Sequence, residues 1–251
     1  EVRFEGKDIT KLNKQELREM RKRMQIVFQD PYSSLDARMT ISDIIAEPLK
    51  LHKLCKSKRE INDRVDELME TVGLSERLVN SYPHELDGGR RQRVGIARAL
   101  ALNPSFIVCD EPVSALDVSI QAQILNLMQD LQEQMGLTYI FITHNLSVVN
   151  HLADEIAVMY LGQIVELGPA DQVLSQPRHP YTQLLLDSVP RTGEPLDEDL
   201  ALRKTDLPGN RHLPVGCYFR DRCPLAMQGC ERPQPLQPAA EGRSVRCWRN
   251  R

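Results

Sequence analysis

Polar and apolar positions along this chain switch between two periods. Three short apolar runs, MQIVFQ at 24–29, FIVCD at 106–110 and TYIFIT at 138–143, have strand length, and each brings a polar residue to its carboxyl end: Gln29, Asp110 and His144. Phe106 to Cys109 fits a buried parallel strand. Between these runs the period becomes helical. KQELREMRKR predicts a short charged helix, ISDIIAEPLKLH and INDRVDELMETVG two more, the latter with Ile61, Val65, Leu68, Met69 and Val72 at helical spacing and Gly73 as its C′ residue. RQRVGIARALAL repeats apolar residues at Val94, Ala97, Leu100 and Ala101. VSIQAQILNLMQDLQEQM places Ile120, Ile124, Leu127 and Leu131 on one face and ends at Gly136. EVRFEGKDI reads as a strand and turn, PYSSLDARM as a turn-rich link, SVVNHLA as a short helix, EIAVMYLGQIVELG as two strands about Gly162, and DQVLSQ and HPYTQLLLDSVP as two last helices. The alternation predicts an α/β fold.

Composition narrows the class. With 251 residues, 41% hydrophobic and 27% charged, the chain is long enough for one ordinary globular domain and a small appendage. A net charge of −3 argues against a general nucleic-acid binder. No apolar run approaches the roughly 20 residues that span a bilayer, and EVRFEGKDIT carries no export signal.

Candidate chemistry sits at the strand ends, where open α/β sheets bind their ligands. An apolar strand ending in Asp110 and Glu111 is suited to a phosphate-bound Mg²⁺ and an attacking water. Gly88 and Gly89, at the start of a helix, expose backbone N–H groups to an anion. Gln29, Gly88-Gly89, Asp110-Glu111, Asp117 and His144, in this order and spacing, resemble the ATP-binding-cassette (ABC) ATPases over almost the whole chain. The resemblance implies a P-loop NTPase-like core with a helical subdomain over about 41–95 that carries the signature and faces the membrane partner. It implies Gln29 as the Q-loop glutamine, Leu86 to Arg90 as the signature, Asp110 as the Mg²⁺ residue acting through water and Glu111 as the residue polarising the hydrolytic water. Ser114 to Asp117 would be the D-loop and His144 the contact to the γ-phosphate.

Two departures from the family pattern stand out. No G-x-x-x-x-G-K-[ST] loop occurs. In the family that loop lies upstream of a segment like EVRFEGKDI, so an amino-terminally truncated cassette is expected. The signature reads Asp87-Gly88-Gly89-Arg90 where the family has Ser-Gly-Gly-Gln. An aspartate facing a γ-phosphate about 4 Å away would repel it by roughly 4 kcal/mol at an effective dielectric near 20, before Arg90 compensates. As an N-cap, Asp equals Ser.

The last stretch is chemically distinct. Residues 210–251 carry eight Arg against three acids, and Cys217, Cys223, Cys230 and Cys247 cluster there, whereas Cys55 and Cys109 are isolated. In a reducing compartment four clustered cysteines point to a metal before disulfides. The spacing C-x5-C-x6-C-x16-C is wider than the C-x₂₋₄-C pairs zinc favours, and iron–sulfur, zinc and metal-free thiols all remain open. The stretch resembles the carboxyl-terminal extension of oligopeptide and dipeptide importer ATPases, some of which carry a [4Fe–4S] cluster there. The expected layout is a cassette over 1–190 and this extension over 191–251. The resemblance implies an ATP- and Mg²⁺-dependent ATPase at the cytoplasmic face of the plasma membrane. Its partners would be permease subunits, a second, non-identical ATPase and, indirectly, an extracytoplasmic substrate-binding protein. Substrate choice rests with other subunits. The competing expectation is a degenerate cassette that keeps the fold and partner surfaces without hydrolysing ATP by itself.

Overall fold

The computed structural model describes residues 1–189 and 213–250, in two compact units, 1–144 and 145–251. The domain boundary expected at 190/191 lies outside the described residues.

The first unit opens with a two-stranded ribbon, β1 (Arg3–Phe4) and β2 (Lys7–Asp8), followed by α1 (Lys14–Arg23). Asn13 caps α1 in a capping box with Glu16, which explains why so charged a segment is helical. The central sheet is parallel, in the order β3 (Met24–Val27), β4 (Phe106–Asp110), β5 (Thr138–Ile142). Its strands run in step, Val27 opposite Cys109 and Asp110 opposite Ile142, so their carboxyl ends finish at one edge. The link expected after β3 forms a single helical turn, α2 (Pro31–Ser34), because Asp30 accepts from the Tyr32 N–H at 2.8 Å and Pro31 sits at its first position.

The helices α3 (Ile41–His52), α4 (Lys58–Thr71) and α5 (Gly88–Leu100) pack together through Ile41, Ile45, Leu68, Met69, Val94 and Leu100, all at most 2% exposed. Thr40 and Ser57 cap the first two. On one face of the sheet Val27, Ile107 and Cys109 are buried, and burial pushes the Cys109 thiol up to about 12, as an inert core cysteine requires. On the other face Ile26, Phe28, Ile140 and Ile142 remain about half exposed. The strand expected to be wholly buried therefore alternates within this unit. After β4, α6 (Val118–Met135) runs to Gly136, whose φ of +63° ends it in the left-handed conformation.

The second unit holds α7 (Leu146–Leu152), the antiparallel pair β6 (Glu155–Tyr160) and β7 (Gln163–Pro169) turning at Gly162, then α8 (Ala170–Ser175) and α9 (Pro180–Asp187). Two strands of two residues, β8 (Gln237–Pro238) and β9 (Ser244–Val245), extend this sheet in the order β6-β7-β9-β8. Its core joins Tyr160, Val165 and Val173 to Phe219. No helix among the described residues is long and apolar enough to cross a membrane.

Candidate functional site

In the first unit, the in-step strand ends bring three expected residues into contact. Glu111 follows β4 directly, and its backbone N–H donates to the Ile142 carbonyl at 2.9 Å, tying it to the end of β5. Gln29, two residues beyond β3, donates from Nε2 to Glu111 Oε2 at 2.9 Å. His144, two residues beyond β5, places Nδ1 3.1 Å from Glu111 Oε1, and against a carboxylate that nitrogen is the proton-bearing one. The carboxylate is thus held on both oxygens, with a quarter of the Glu111 side chain still exposed while His144 is largely open to solvent. Asp110, the last residue of β4, stands beside it, half-buried.

Glu111 also has a φ of +43°, unusual for a residue with a side chain. The turn after it is closed by Ser114, whose N–H and Oγ both donate to the Glu111 carbonyl, at 3.2 and 3.0 Å. Gln121, which the sequence reading passed over, donates from Nε2 to the carbonyls of Val113 and Leu116 at 2.9 and 3.0 Å and so fixes the turn before α6 from inside that helix. Its only signal in the sequence is a glutamine one turn into a helix. Asp117 caps α6, accepting from the Ile120 N–H at 3.0 Å and the Ser119 hydroxyl at 2.8 Å. These bonds, the backbone one foremost, hold its carboxyl below the usual range.

Asp87 caps α5, accepting from the Arg90 N–H at 2.8 Å, and its other oxygen lies 3.4 Å from Arg90 Nη1. Gly88 and Gly89 open that helix, and packing presses most closely on Gly89. A Cβ on Gly88 would stand 3.1 Å from Leu116 Cδ2, and one on Gly89 2.6 Å from Ile120 Cγ2.

In the second unit Cys217, Cys223, Cys230 and Cys247 line one small hollow together with His179 and Trp248. None of the four is in a disulfide, and burial is the main cause raising the thiols of Cys217 and Cys223. Among the described residues no group of three or more His, Cys, Asp or Glu is arranged to hold a metal ion. A single zinc needs its thiolates gathered on one point, whereas in a [4Fe–4S] cluster each thiolate binds a different iron. Four cysteines line one hollow together with Arg220 and Arg249, whose charge would suit an anionic group.

Comparison with known proteins agrees with this layout. The ABC transporter family model matches residues 1–114, and the model for the oligopeptide/dipeptide transporter C-terminal region matches residues 165–230. The chain is 57% identical over 226 residues to the probable D,D-dipeptide transport ATP-binding protein DdpF of Escherichia coli, covering 90% of this chain and 73% of that protein. It is 48% identical over 248 residues to the oligopeptide transport ATP-binding protein OppF of Salmonella typhimurium, covering 98% and 74%. Among solved structures, cbiO1 of Clostridium perfringens, part of the ABC transporter complex cbiONQ, superposes with a TM-score of 0.62 at 28% identity, covering 69% of this chain and 67% of that one. The cassette MJ0796, a dimer bound to ADP and Pi, gives 0.58 at 30% identity, covering 66% and 72%. With motifs, fold and relatives in agreement, the chain belongs to the ATP-binding proteins of ABC transporters, in the oligopeptide/dipeptide branch.

Proposed function

We propose that Glu111 is the residue that orients and deprotonates the hydrolytic water in an ATPase subunit powering peptide import. The observation carrying this reading is the grip on its carboxylate, with Gln29 on Oε2 and His144 on Oε1. A carboxylate fixed by two hydrogen bonds on adjoining strand ends is oriented before any substrate arrives, which is what general-base and water-positioning chemistry requires. Gln29 and His144 contact the carboxylate from separate elements, so either can release it when a phosphate competes for its hydrogen bond. Asp110 is the residue placed to hold Mg²⁺ through water, and the bound metal would supply charge neutralisation on the phosphates. Asp87, Gly88 and Gly89 at the start of α5, and Asp117 at the start of α6, face a nucleotide held by a second ATPase subunit. His144 is left solvent-open for the γ-phosphate.

Relatives named as dipeptide and oligopeptide transport proteins support peptides as the cargo. The partners are permease subunits, a non-identical second ATPase and, through the permease, an extracytoplasmic substrate-binding protein, with the chain peripheral at the cytoplasmic membrane face. We further propose a cassette ending near residue 190, a helical subdomain over about 41–95, and an extension whose Cys217, Cys223, Cys230 and Cys247 hold a [4Fe–4S] cluster. Glu111→Gln in a version that carries a phosphate loop, within the assembled transporter, is expected to lower phosphate release about 10²- to 10⁴-fold while nucleotide affinity stays within a few-fold, because the charge is lost and the phosphate contacts are not. Retained turnover would refute the role.

A further inference from the structure

We infer that Cys217 and Cys230 are a redox pair, closing a reversible disulfide with each other when a disulfide oxidant is present. The pairing goes beyond the reading of the four cysteines as a ligand site and needs no metal. It follows from the approach of two backbone segments. The Cys217 N–H donates to the Cys230 carbonyl at 2.8 Å. A Cβ placed on Gly216, whose φ is +88°, would collide with that same carbonyl oxygen and stand 2.5 Å from the Glu231 carbonyl carbon. Only a residue without a side chain lets Gly216-Cys217 lie so close along Cys230-Glu231. A direct backbone bond sets the two Cα atoms about 5–6 Å apart, inside the roughly 4.4–6.8 Å that a disulfide spans. Both cysteines line the same hollow.

Each cysteine is also held in a turn of its own. The Arg220 N–H donates to the Cys217 carbonyl at 3.1 Å, and the Cys230 N–H donates to the Met227 carbonyl at 3.1 Å. The fold, and not the spacing, selects this pair. In an unfolded chain the shortest loops close most readily, which favours Cys217 with Cys223 or Cys223 with Cys230, six and seven residues apart, over Cys217 with Cys230, thirteen apart. Cys217 is partly exposed and Cys230 is buried, so a soluble oxidant meets Cys217 first. The Cys217 thiolate attacks glutathione disulfide, forming a mixed disulfide and releasing one glutathione thiolate, and the Cys230 thiolate then displaces the second glutathione. Two electrons pass from the cysteines to the oxidant, and the two cysteine protons end on the two glutathione thiols. Disulfides of reducing compartments are typically transient and redox-sensing. Closure withdraws two of the four thiols from any metal the hollow binds, so that site is complete only under reducing conditions.

The full chain, reduced and treated with a chelator, is incubated anaerobically with glutathione disulfide, blocked with iodoacetamide and cut with trypsin and cyanogen bromide. Cleavage after Arg220, Arg222, Met227 and Arg246 puts each of the four cysteines on its own peptide for mass spectrometry. In the folded chain the Cys217–Cys230 link is expected to exceed any other pair by about tenfold, and in urea the short-loop pairs should replace it. Trp248, the single tryptophan, lines the hollow and lies against Gly229, where an added Cβ would stand 2.9 Å from its Cε2. Its fluorescence should therefore fall as the link forms and recover with dithiothreitol. Cys223→Ser and Cys247→Ser should close as wild type does, whereas Cys230→Ser should retain glutathione on Cys217. A different main pair in the folded chain, glutathione adducts alone, or no oxidation at all overturns the inference. Uptake of iron and sulfide by the reduced chain is measured separately, so failure of the cluster reading leaves the pairing result standing.

Discussion

The left-handed backbone at Glu111 makes a prediction about stability that is separable from catalysis. A residue with a Cβ at φ +43° costs about 1–2 kcal/mol, which glycine does not incur. Glycine in turn loses about 0.4–1 kcal/mol relative to alanine through its freer unfolded chain. The difference leaves Glu111→Gly more stable than Glu111→Ala by about 0.5–1 kcal/mol, although both remove the same carboxylate and the same bonds to Gln29 and His144. For a chain of this size that is a rise in Tm of roughly 1–4 °C. Glu133, exposed within α6, serves as the control, since at a helical φ alanine should exceed glycine by about 1 kcal/mol. The assay is thermal or urea unfolding of the four variants side by side, and the expected result is a reversal of sign between the two positions. If alanine is the more stable at both, Glu111 stores no strain. The reversal would mean that this backbone is held against its preference at the point where the carboxylate is aimed, as strain at functional sites commonly is.

Gly89→Ala should cost about 1–3 kcal/mol by overpacking against Ile120 Cγ2, and the cost should fall below about 1 kcal/mol in an Ile120→Ala background. Equal costs in both backgrounds, by urea unfolding, would show that the methyl finds room elsewhere. Asp87→Ser should leave stability within about 0.5 kcal/mol because the two residues cap equally well. It should raise ATP turnover of the assembled transporter less than about tenfold, since Arg90 Nη1 at 3.4 Å already offsets much of the Asp87 charge. A fall in phosphate release would reverse the electrostatic argument.

The site was legible where strand geometry carries it. Gln29, Glu111 and His144 are 82 and 33 residues apart, yet each follows an apolar run, and parallel strands paired in step must deliver such residues to one edge. What hydropathy could not show depends on tertiary partners. The two-residue strands Gln237–Pro238 and Ser244–Val245 are too short to have a period and exist because β7 offers an edge. Arg243 reads as a surface residue but is 1% exposed, because its Nη1 donates to the carbonyls of Gln172 and Gln176 at 2.7 and 2.8 Å at the end of α8. His179 reads as part of a helix start, yet it is 1% exposed and its N–H is held by the buried Glu166 carboxylate.

The glycine pair carries two physical demands at once. As helix-start residues Gly88 and Gly89 leave N–H groups open to an anion, and as small residues they let α5 settle onto Leu116 and Ile120. Leu116 belongs to the turn that Gln121 braces, and the same turn begins where Ser114 holds the Glu111 carbonyl. Gly88, Gly89, the turn over 113–116 and Glu111 thus lie next to one another in the first unit. A side chain at Gly89 would press on Ile120, next to the Gln121 that braces the turn, so Gly89→Ala should also change the extent to which hydrogen exchange labels the 113–121 segment, and unchanged exchange there would show that the methyl is absorbed locally.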